Sequence, residues 1–332
     1  MIKRTLHFSN PAYLNLQKDQ LQIDLPHLKV LGEKESKKSV PIEDIGIVIL
    51  DHQQITITHA CIAALLDNNA AIITCNHSHL PTGMLLPIDG HDIQSERFRY
   101  QIDASQPLKK QLWQQTVQAK ILNQAAVLFE RNIPCDNMVH WAKNVRSGDP
   151  DNYEARAAAY YWKNVFPKKV DFFRGRDGDP PNNLLNYGYA ILRAIVARGL
   201  VSSGLLPTLG IHHRNKYNAY CLADDIMEPY RPYVDQIVLR IIDNGENFLE
   251  LGTSIKTQLL GIATVDVQFE RGKSPLMVGL QNTTSSLAKC YEGVIRKINY
   301  PYLNNFDIKK TNNARMLDNE VISGLENEGE TE

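Results

Sequence analysis

Cysteine is sparse and unpatterned. Cys61, Cys75, Cys135, Cys221 and Cys290 are odd in number, widely scattered and never form a Cys-x-x-Cys pair. A disulfide framework or cysteine-bound zinc is therefore not expected; reduced, mostly buried thiols are. No stretch approaches the ~20 consecutive apolar residues of a membrane helix. The basic start, MIKRTLHFSN, lacks the apolar segment of a secretory signal, so cytoplasmic residence without a membrane partner is the expectation. There is no internal repeat, no Gly-x-Ser-x-Gly elbow and no phosphate-binding P-loop, which argues against the commonest hydrolase and nucleotidase chemistries.

A global excess of positive charge is also missing, since the net charge is −1. That total hides an asymmetry. Six acids (Asp318, Glu320, Glu326, Glu328, Glu330, Glu332) fall in 316–332, which has no Lys or Arg. The remaining 31 acids face 36 basic residues, so the body carries +5. A mildly basic body permits nucleic-acid binding through local patches without demanding it.

The 332 residues, 43% hydrophobic, suffice for one to three domains with a substantial core. Short β-type runs fill the first ~90 residues: 5–8, 13–17 and 20–24, the last two joined at Lys18-Asp19. Leu21, Ile23 and Leu25 alternate with polar neighbours, whereas 46–50 is continuously apolar, as a buried strand requires. A helix with a Thr cap is expected at 58–67, a strand at 72–75, and a charged loop at 34–38. The fold class expected is α+β: a small N-terminal β-sandwich over 1–90, a linker over 91–103, an all-α helical domain over 104–303, and an acidic, mobile tail over 304–332. Helical period runs through 107–130, 152–165, 183–200, 219–244, 254–260 and 284–298.

Chemistry concentrates in 209–235. His213 sits in a Gly-containing stretch, followed by Asp224, Asp225 and Glu228 on a predicted helix. The aspartates lie four and three residues before Glu228, so the three carboxylates are expected near one face, where their repulsion needs a cation, a basic partner or solvent. Pro229 and Pro232 cannot donate to the carbonyls of Asp225 and Glu228, so the helix should kink there and free acceptors. Arg231 can pair with Asp235 or face a carboxylate or phosphate. The plainer reading is a solvated acidic face with a hydrogen-bonded His. Carboxylates with one imidazole nevertheless suit magnesium or manganese. Upstream, Asp151 or Asn152 can cap a helix that places Glu154 in its first turn, where a negative charge is favoured by the dipole even with no other role. Asn186, Tyr187 and Tyr189 put polar side chains on an apolar helix, which suggests buried hydrogen bonds.

Together these segments resemble the CRISPR-associated spacer integrase family, type II branch. The matching elements are Glu154-Ala155-Arg156, Asn186-Tyr187-Gly188-Tyr189, Gly210-x-x-His213 and the run from Asp225 to Pro232, in the family's order, with His213 and Glu228 fifteen residues apart. Residues 108–121 and 286–293 also look like that branch, and the likeness spans roughly 1–303. The resemblance implies a metal-dependent DNA endonuclease and integrase that inserts short foreign DNA into a CRISPR array by 3′-hydroxyl transesterification. It implies Glu154, His213 and Glu228 as ligands of Mg²⁺ or Mn²⁺. The ligand position three residues after the glycine selects His213 over His212, and Asp225 supports the metal indirectly. It further implies a homodimer formed through the sandwich, two such dimers on a small ferredoxin-like subunit (a 4:2 heterohexamer), double-stranded DNA as protospacer and repeat, and other type II CRISPR proteins as further candidate partners. Proximity makes Arg214, Lys216 and Arg231 candidate phosphate contacts. Two competing classes are a metal-stabilised helical scaffold without catalysis and a small-molecule hydrolase in the bundle.

Overall fold

The computed structural model describes residues 3–26, 37–77, 79, 81–168, 170, 172–175 and 178–303. The expected mobile tail and Lys34–36 of the expected charged loop lie outside these residues.

The N-terminal part is two four-stranded sheets. One has the order β4-β3-β2-β6 and the other β1-β5-β7-β8. The strands are β1 Arg4–Phe8, β2 Ala12–Gln17, β3 Gln20–Asp24, β4 Lys37–Pro41, β5 Ile45–Leu50, β6 Ile55–Ile57, β7 Ala71–Cys75 and β8 Pro81–Leu85. β2 and β3 form a hairpin closed between Gln17 and Gln20, with Lys18 and Asp19 both at positive φ (50° and 56°), as a two-residue hairpin turn with the strands' own twist requires. Ala12 and Leu14 point inward while Tyr13 and Asn15 point out. Helix α1, His59–Asp67, starts where the Thr58 hydroxyl accepts from the Cys61 N–H.

The second sheet is shared between two cores. Val48 and Ile72, neighbours on β5 and β7, pack into the sandwich with Leu14, Leu21 and Leu65. Ile49 and Ile73, one residue further along the same strands, belong to the core of the helical part, as does Ile47. A strand buried on both faces must be apolar throughout, which explains the unbroken run in β5. The helical part therefore packs directly on the sandwich.

The segment expected as a linker is mostly helix: α2 spans Gln94–Asp103. Its polar residues dock it. Arg97 pairs with Glu292 at 2.8 Å and donates to the Ser203 carbonyl, and the buried Gln101 amide serves Leu206 and Leu209. A helix held by polar contacts carries little apolar period, hence the misreading.

The remaining helices are α3 Gln106–Glu130, α4 Asp136–Asn144, α5 Tyr153–Asn164, α6 Asn182–Ser202, α7 Cys221–Met227, α8 Arg231–Asp243, α9 Thr253–Leu260 and α10 Leu276–Tyr291. α10 begins and ends about eight residues earlier than expected. It is preceded by a hairpin, β9 Asp266–Phe269 and β10 Gly272–Pro275, that the helical reading did not contain. α6 is long and apolar enough to cross a membrane by length and composition alone, and 83% of that apolar stretch is buried inside the protein. It is the central helix of the bundle, apolar all round because helices surround it. Residues 294–303 lace back along α3: Ile298 N–H donates to Gln115, Tyr300 meets Thr116 at 2.8 Å, and Asn123 bridges Pro301 and Leu303.

One polar joint crosses the shared face. Asp51, 1% exposed, accepts from His7 and Lys256 at 3.0 Å each and from His79 at 2.9 Å. Lys256 comes from α9, the other three from the sandwich. Burial pushes the Asp51 pKa up, but hydrogen bonds from His7, Lys256 and His79 outweigh it and hold the carboxyl at about 2. The stability this carboxylate contributes is thus present above the ordinary value of 3.8 and is lost as pH falls toward 2. Replacing Lys256 with Met is expected to cost about 3 kcal/mol or more, since one partner of a buried ion pair is removed. Urea unfolding at neutral pH measures this, and the gap to the parent protein should shrink below pH 3.

A candidate metal centre where three helical segments meet

Glu154 stands in the first turn of α5 and Asn152 holds the N-cap position, as expected, but the Asn152 side chain makes no capping hydrogen bond. The capping side chain is that of Asp149, whose two carboxylate oxygens accept from the Tyr153 and Glu154 N–H groups at 2.9 Å each. Asp151 is turned away onto Arg146. The tight loop needs left-handed backbone at Asp149 and Asn152, residue types that tolerate it.

Glu228 reaches the same place from a kinked helix. Between α7 and α8 the chain makes one 3₁₀ turn, Glu228–Tyr230. The carbonyls that Pro229 and Pro232 cannot serve are not left free. The Glu228 N–H donates to the Asp225 carbonyl and the Arg231 N–H to the Glu228 carbonyl, the tighter bonds of a 3₁₀ turn. Asn123 of α3 donates to the Pro229 carbonyl at 2.7 Å and ties the turn to that helix.

Between the two glutamates lies a residue that sequence reasoning missed. The Lys120 ammonium, on α3, is 2.6 Å from a carboxylate oxygen of Glu154 and 2.6 Å from Oε2 of Glu228. Arg231 approaches the other oxygen of Glu228 at 2.9 Å and lies over the Tyr189 ring. Burial raises the Glu228 pKa, but Arg231 and Lys120 overcome this and hold it at about 2. A sequence signal for Lys120 existed: it falls in a stripe with Trp113, Val117, Ile121 and Gln124, all buried. A lysine on such a face must find a counter-charge.

His213 is oriented by Asp225. Its Nδ1 is 2.5 Å from Oδ1 of Asp225, which also accepts from the His213 N–H, while Oδ2 accepts from the His212 N–H. With Nδ1–H donating to a carboxylate, the Nε2 lone pair is the donor left to the site. That hydrogen bond raises the His213 pKa. Trp113 of α3 stacks on His212 at 4.1 Å and meets His213 edge-on. Gly210 is needed here, because an added Cβ would stand 2.3 Å from the His213 carbonyl oxygen and 2.8 Å from Asp225.

The acidic cluster expected on one helical face is divided. Asp224 turns to Arg193 (2.6 Å) and Asn218 (2.7 Å), Asp225 to the histidine loop, and Glu228 to Lys120 and Arg231. Arg231 takes Glu228 instead of Asp235, whose carboxylate accepts from the buried Tyr161 and Tyr189 hydroxyls. Burial pushes the Asp235 pKa up to about 6. Of the three polar residues expected to fix helix positions, Tyr189 does so and Asn186 accepts from Arg174, whereas the Tyr187 hydroxyl is buried without a hydrogen bond. Arg214, bonded to Gln106, and Lys216, over the Tyr217 ring, are exposed on the histidine loop.

Among the described residues, no three His, Cys, Asp or Glu side chains are placed to share one ion. The donor set nevertheless fits a hard divalent cation. Oε2 of Glu228 is buried and has no hydrogen-bond partner, since Lys120 is near but misaligned, and two carboxylates converge where a positive charge already sits.

The pattern defining the family described as "CRISPR associated protein Cas1" matches residues 12–250. The chain belongs to the Cas1 family. It is similar to the CRISPR-associated endonuclease Cas1 of Neisseria meningitidis serogroup C (strain 8013), with 37% identity over 288 residues, 86% of this chain and 91% of that one. Two solved structures share the fold. A casposase bound to integration product has a TM-score of 0.72 at 20% identity, covering 90% of this chain and 93% of that one. A chain of a Cas6-RT-Cas1–Cas2 complex has a TM-score of 0.69 at 18% identity, covering 91% of this chain and 36% of that one. Glu154, His213 and Glu228 all fall within the Cas1 match.

Replacing Asp225 with Asn, which removes the charge beside the ring, should lower the His213 pKa in the metal-free protein. An NMR titration of the imidazole C–H resonances reads it; an unmoved midpoint would show that another group holds the ring.

Proposed function

We propose that this chain uses a divalent metal to join the 3′-hydroxyl ends of short DNA fragments to a CRISPR array by transesterification. As a Cas1 family member it is a DNA endonuclease and integrase of CRISPR spacer acquisition. The observation that supports metal dependence is the convergence of Glu154 and Glu228 on one cationic position beside a histidine already oriented by Asp225.

In this reading Glu154, Glu228 and Nε2 of His213 would hold Mg²⁺ or Mn²⁺. Bound there, the metal would offset charge on the phosphorane-like transition state and lower the pKa of the attacking hydroxyl. Asp225 fixes the imidazole through Nδ1 and so presents Nε2. Trp113 keeps the histidine loop against α3. Arg231 is committed to Glu228 and Tyr189, which leaves Arg214 and Lys216 on the exposed loop as the phosphate contacts of this region. Water entering in place of the hydroxyl would give hydrolysis by the same residues.

A DNA substrate and a Cas2-type partner are supported by the family and by the casposase and Cas1–Cas2 structures that share the fold, and we propose that the DNA is double-stranded. We propose the finer assembly, two homodimers joined through their sandwiches on a central dimer of the small ferredoxin-like subunit, on family resemblance.

A joining assay with a short duplex, a repeat-containing plasmid and the small partner tests the reading. Activity should require Mg²⁺ or Mn²⁺, and Glu154→Ala, His213→Ala and Glu228→Ala should each lower it by roughly 10²-fold or more with the fold retained. A scaffold role would instead lower the melting temperature of Glu228→Ala and leave joining intact in whatever protein still folds. Separately, Arg214→Ala and Lys216→Ala should each reduce the salt slope of DNA binding by about 1, a fluorescence-anisotropy measurement across salt concentrations. Arg231→Ala should change that slope less and lower the melting temperature more.

A further inference from the structure

We propose that Lys120 is a positioning residue of the metal centre. In the metal-free protein its ammonium stands where the cation would sit, holding Glu154 and Glu228 together, and metal binding displaces it. The inference rests on the reading of those carboxylates as metal ligands and deepens it.

Glu154 and Glu228 come from segments 74 residues apart in the chain, and two carboxylates brought this close repel unless a positive charge lies between them. Lys120 is itself 8% exposed, and a buried ammonium is costly unless paired. Its placement is imposed from outside the site. Asn123, three residues on along α3, is locked to the Pro229 carbonyl next to Glu228, and Trp113, Val117 and Ile121 anchor the same face in the core. The ammonium is therefore held against the glutamates by the packing of α3.

The two contacts differ in kind. Lys120 donates a hydrogen bond to Glu154, whereas Oε2 of Glu228 lies at the same distance with no hydrogen-bond alignment. Attraction to Glu228 is thus chiefly Coulombic and non-directional. Another cation can take over such a contact without the loss of a well-formed hydrogen bond. Three carboxylates (Glu154, Asp225, Glu228) face two fixed cations (Lys120, Arg231), so the metal-free site holds no excess of fixed positive charge. A divalent ion supplies that excess. The displaced ammonium, on a flexible four-carbon stem, then adds to the field that attracts a phosphate. Phosphate attraction is therefore low until the metal has arrived.

Mn²⁺ titration of the full-length protein by calorimetry tests this, with melting temperatures recorded with and without Mn²⁺. Lys120→Met removes the competing charge. It should bind Mn²⁺ about tenfold tighter than the parent protein, melt lower without metal, and gain more from Mn²⁺ on melting. A purely structural lysine predicts the lower melting temperature alone. An affinity equal to or weaker than the parent's would overturn the proposal while leaving the metal reading in place. Should Lys120→Met not fold, Lys120→Arg carries the test. A guanidinium grips a carboxylate through two donors and is harder to displace, so Mn²⁺ should bind several-fold weaker; unchanged affinity counts against the proposal. A parent protein that takes up no Mn²⁺ at these residues, with Glu228→Gln giving the same trace, removes the metal reading and the role of Lys120 with it.

Discussion

Two glutamates that would repel one another are brought within reach of a single buried ammonium, and much of the helical architecture follows from that convergence. α3 must carry Lys120 inward on a face otherwise made of Trp113, Val117 and Ile121. α5 must begin where its first turn points at the ammonium, and the Asp149 cap sets that start. The helix bearing Glu228 must tighten into a 3₁₀ turn, which Pro229 and Pro232 impose by removing two α-helical donors. Desolvation makes each of these charges expensive alone and stabilising only in company. The site is thus built as a set, and removal of one charge strands the others.

Rigidity around the set comes from apolar packing. α6 fills the middle of the bundle, and Gly188 and Gly199 let neighbouring side chains of α8 and α10 come close: a Cβ at either would meet Val234 or Leu280 inside normal contact distance. The sheet face carrying Ile47, Ile49 and Ile73 extends that core into the sandwich. Asp51, with partners on both sides, adds a polar joint between the two parts. The histidine loop is the exception: it lies on the surface, and Asp225 and Trp113 orient it in place of a surrounding core. Such a division suits a nucleic-acid enzyme, with fixed carboxylates beneath and an imidazole and basic side chains at the surface, where the proposed reading brings a phosphate.

Several charges that look equivalent in the chain have different fates. Asp224 and Asp225 are adjacent, yet one is held by Arg193 outside the site and the other directs His213. Arg214 and Arg231 lie next to His213 and near Glu228 in the chain, yet the first is exposed and the second is folded against Glu228 and Tyr189. Burial decides between them, because a desolvated cation must find its counter-charge within the protein while an exposed one stays available to a ligand.

What the chain determined by itself was whatever depends on local period, turn chemistry or residue order. Short β-type runs about a Lys18-Asp19 turn announced β2 and β3, with alternation in the second, the unbroken apolar run announced β5, and the Thr cap announced α1. Ordered motifs announced the Cas1 family, and the resemblance they carry is what proposes Glu154, His213 and Glu228 as a set. Tertiary structure alone decided what depends on partners distant in sequence. Lys120 is one polar residue in a helix until Glu154 and Glu228 are folded against it. α2 is unreadable from its apolar pattern because Arg97 and Gln101 dock it by charge and hydrogen bonds. The N-cap position of α5 is Asn152, as expected, but the capping carboxylate is that of Asp149, because a left-handed loop brings it back to the helix start. Local sequence sets local backbone preferences, whereas the pairing of buried charges is a property of the packed molecule, where low polarity makes each choice of partner costly to refuse.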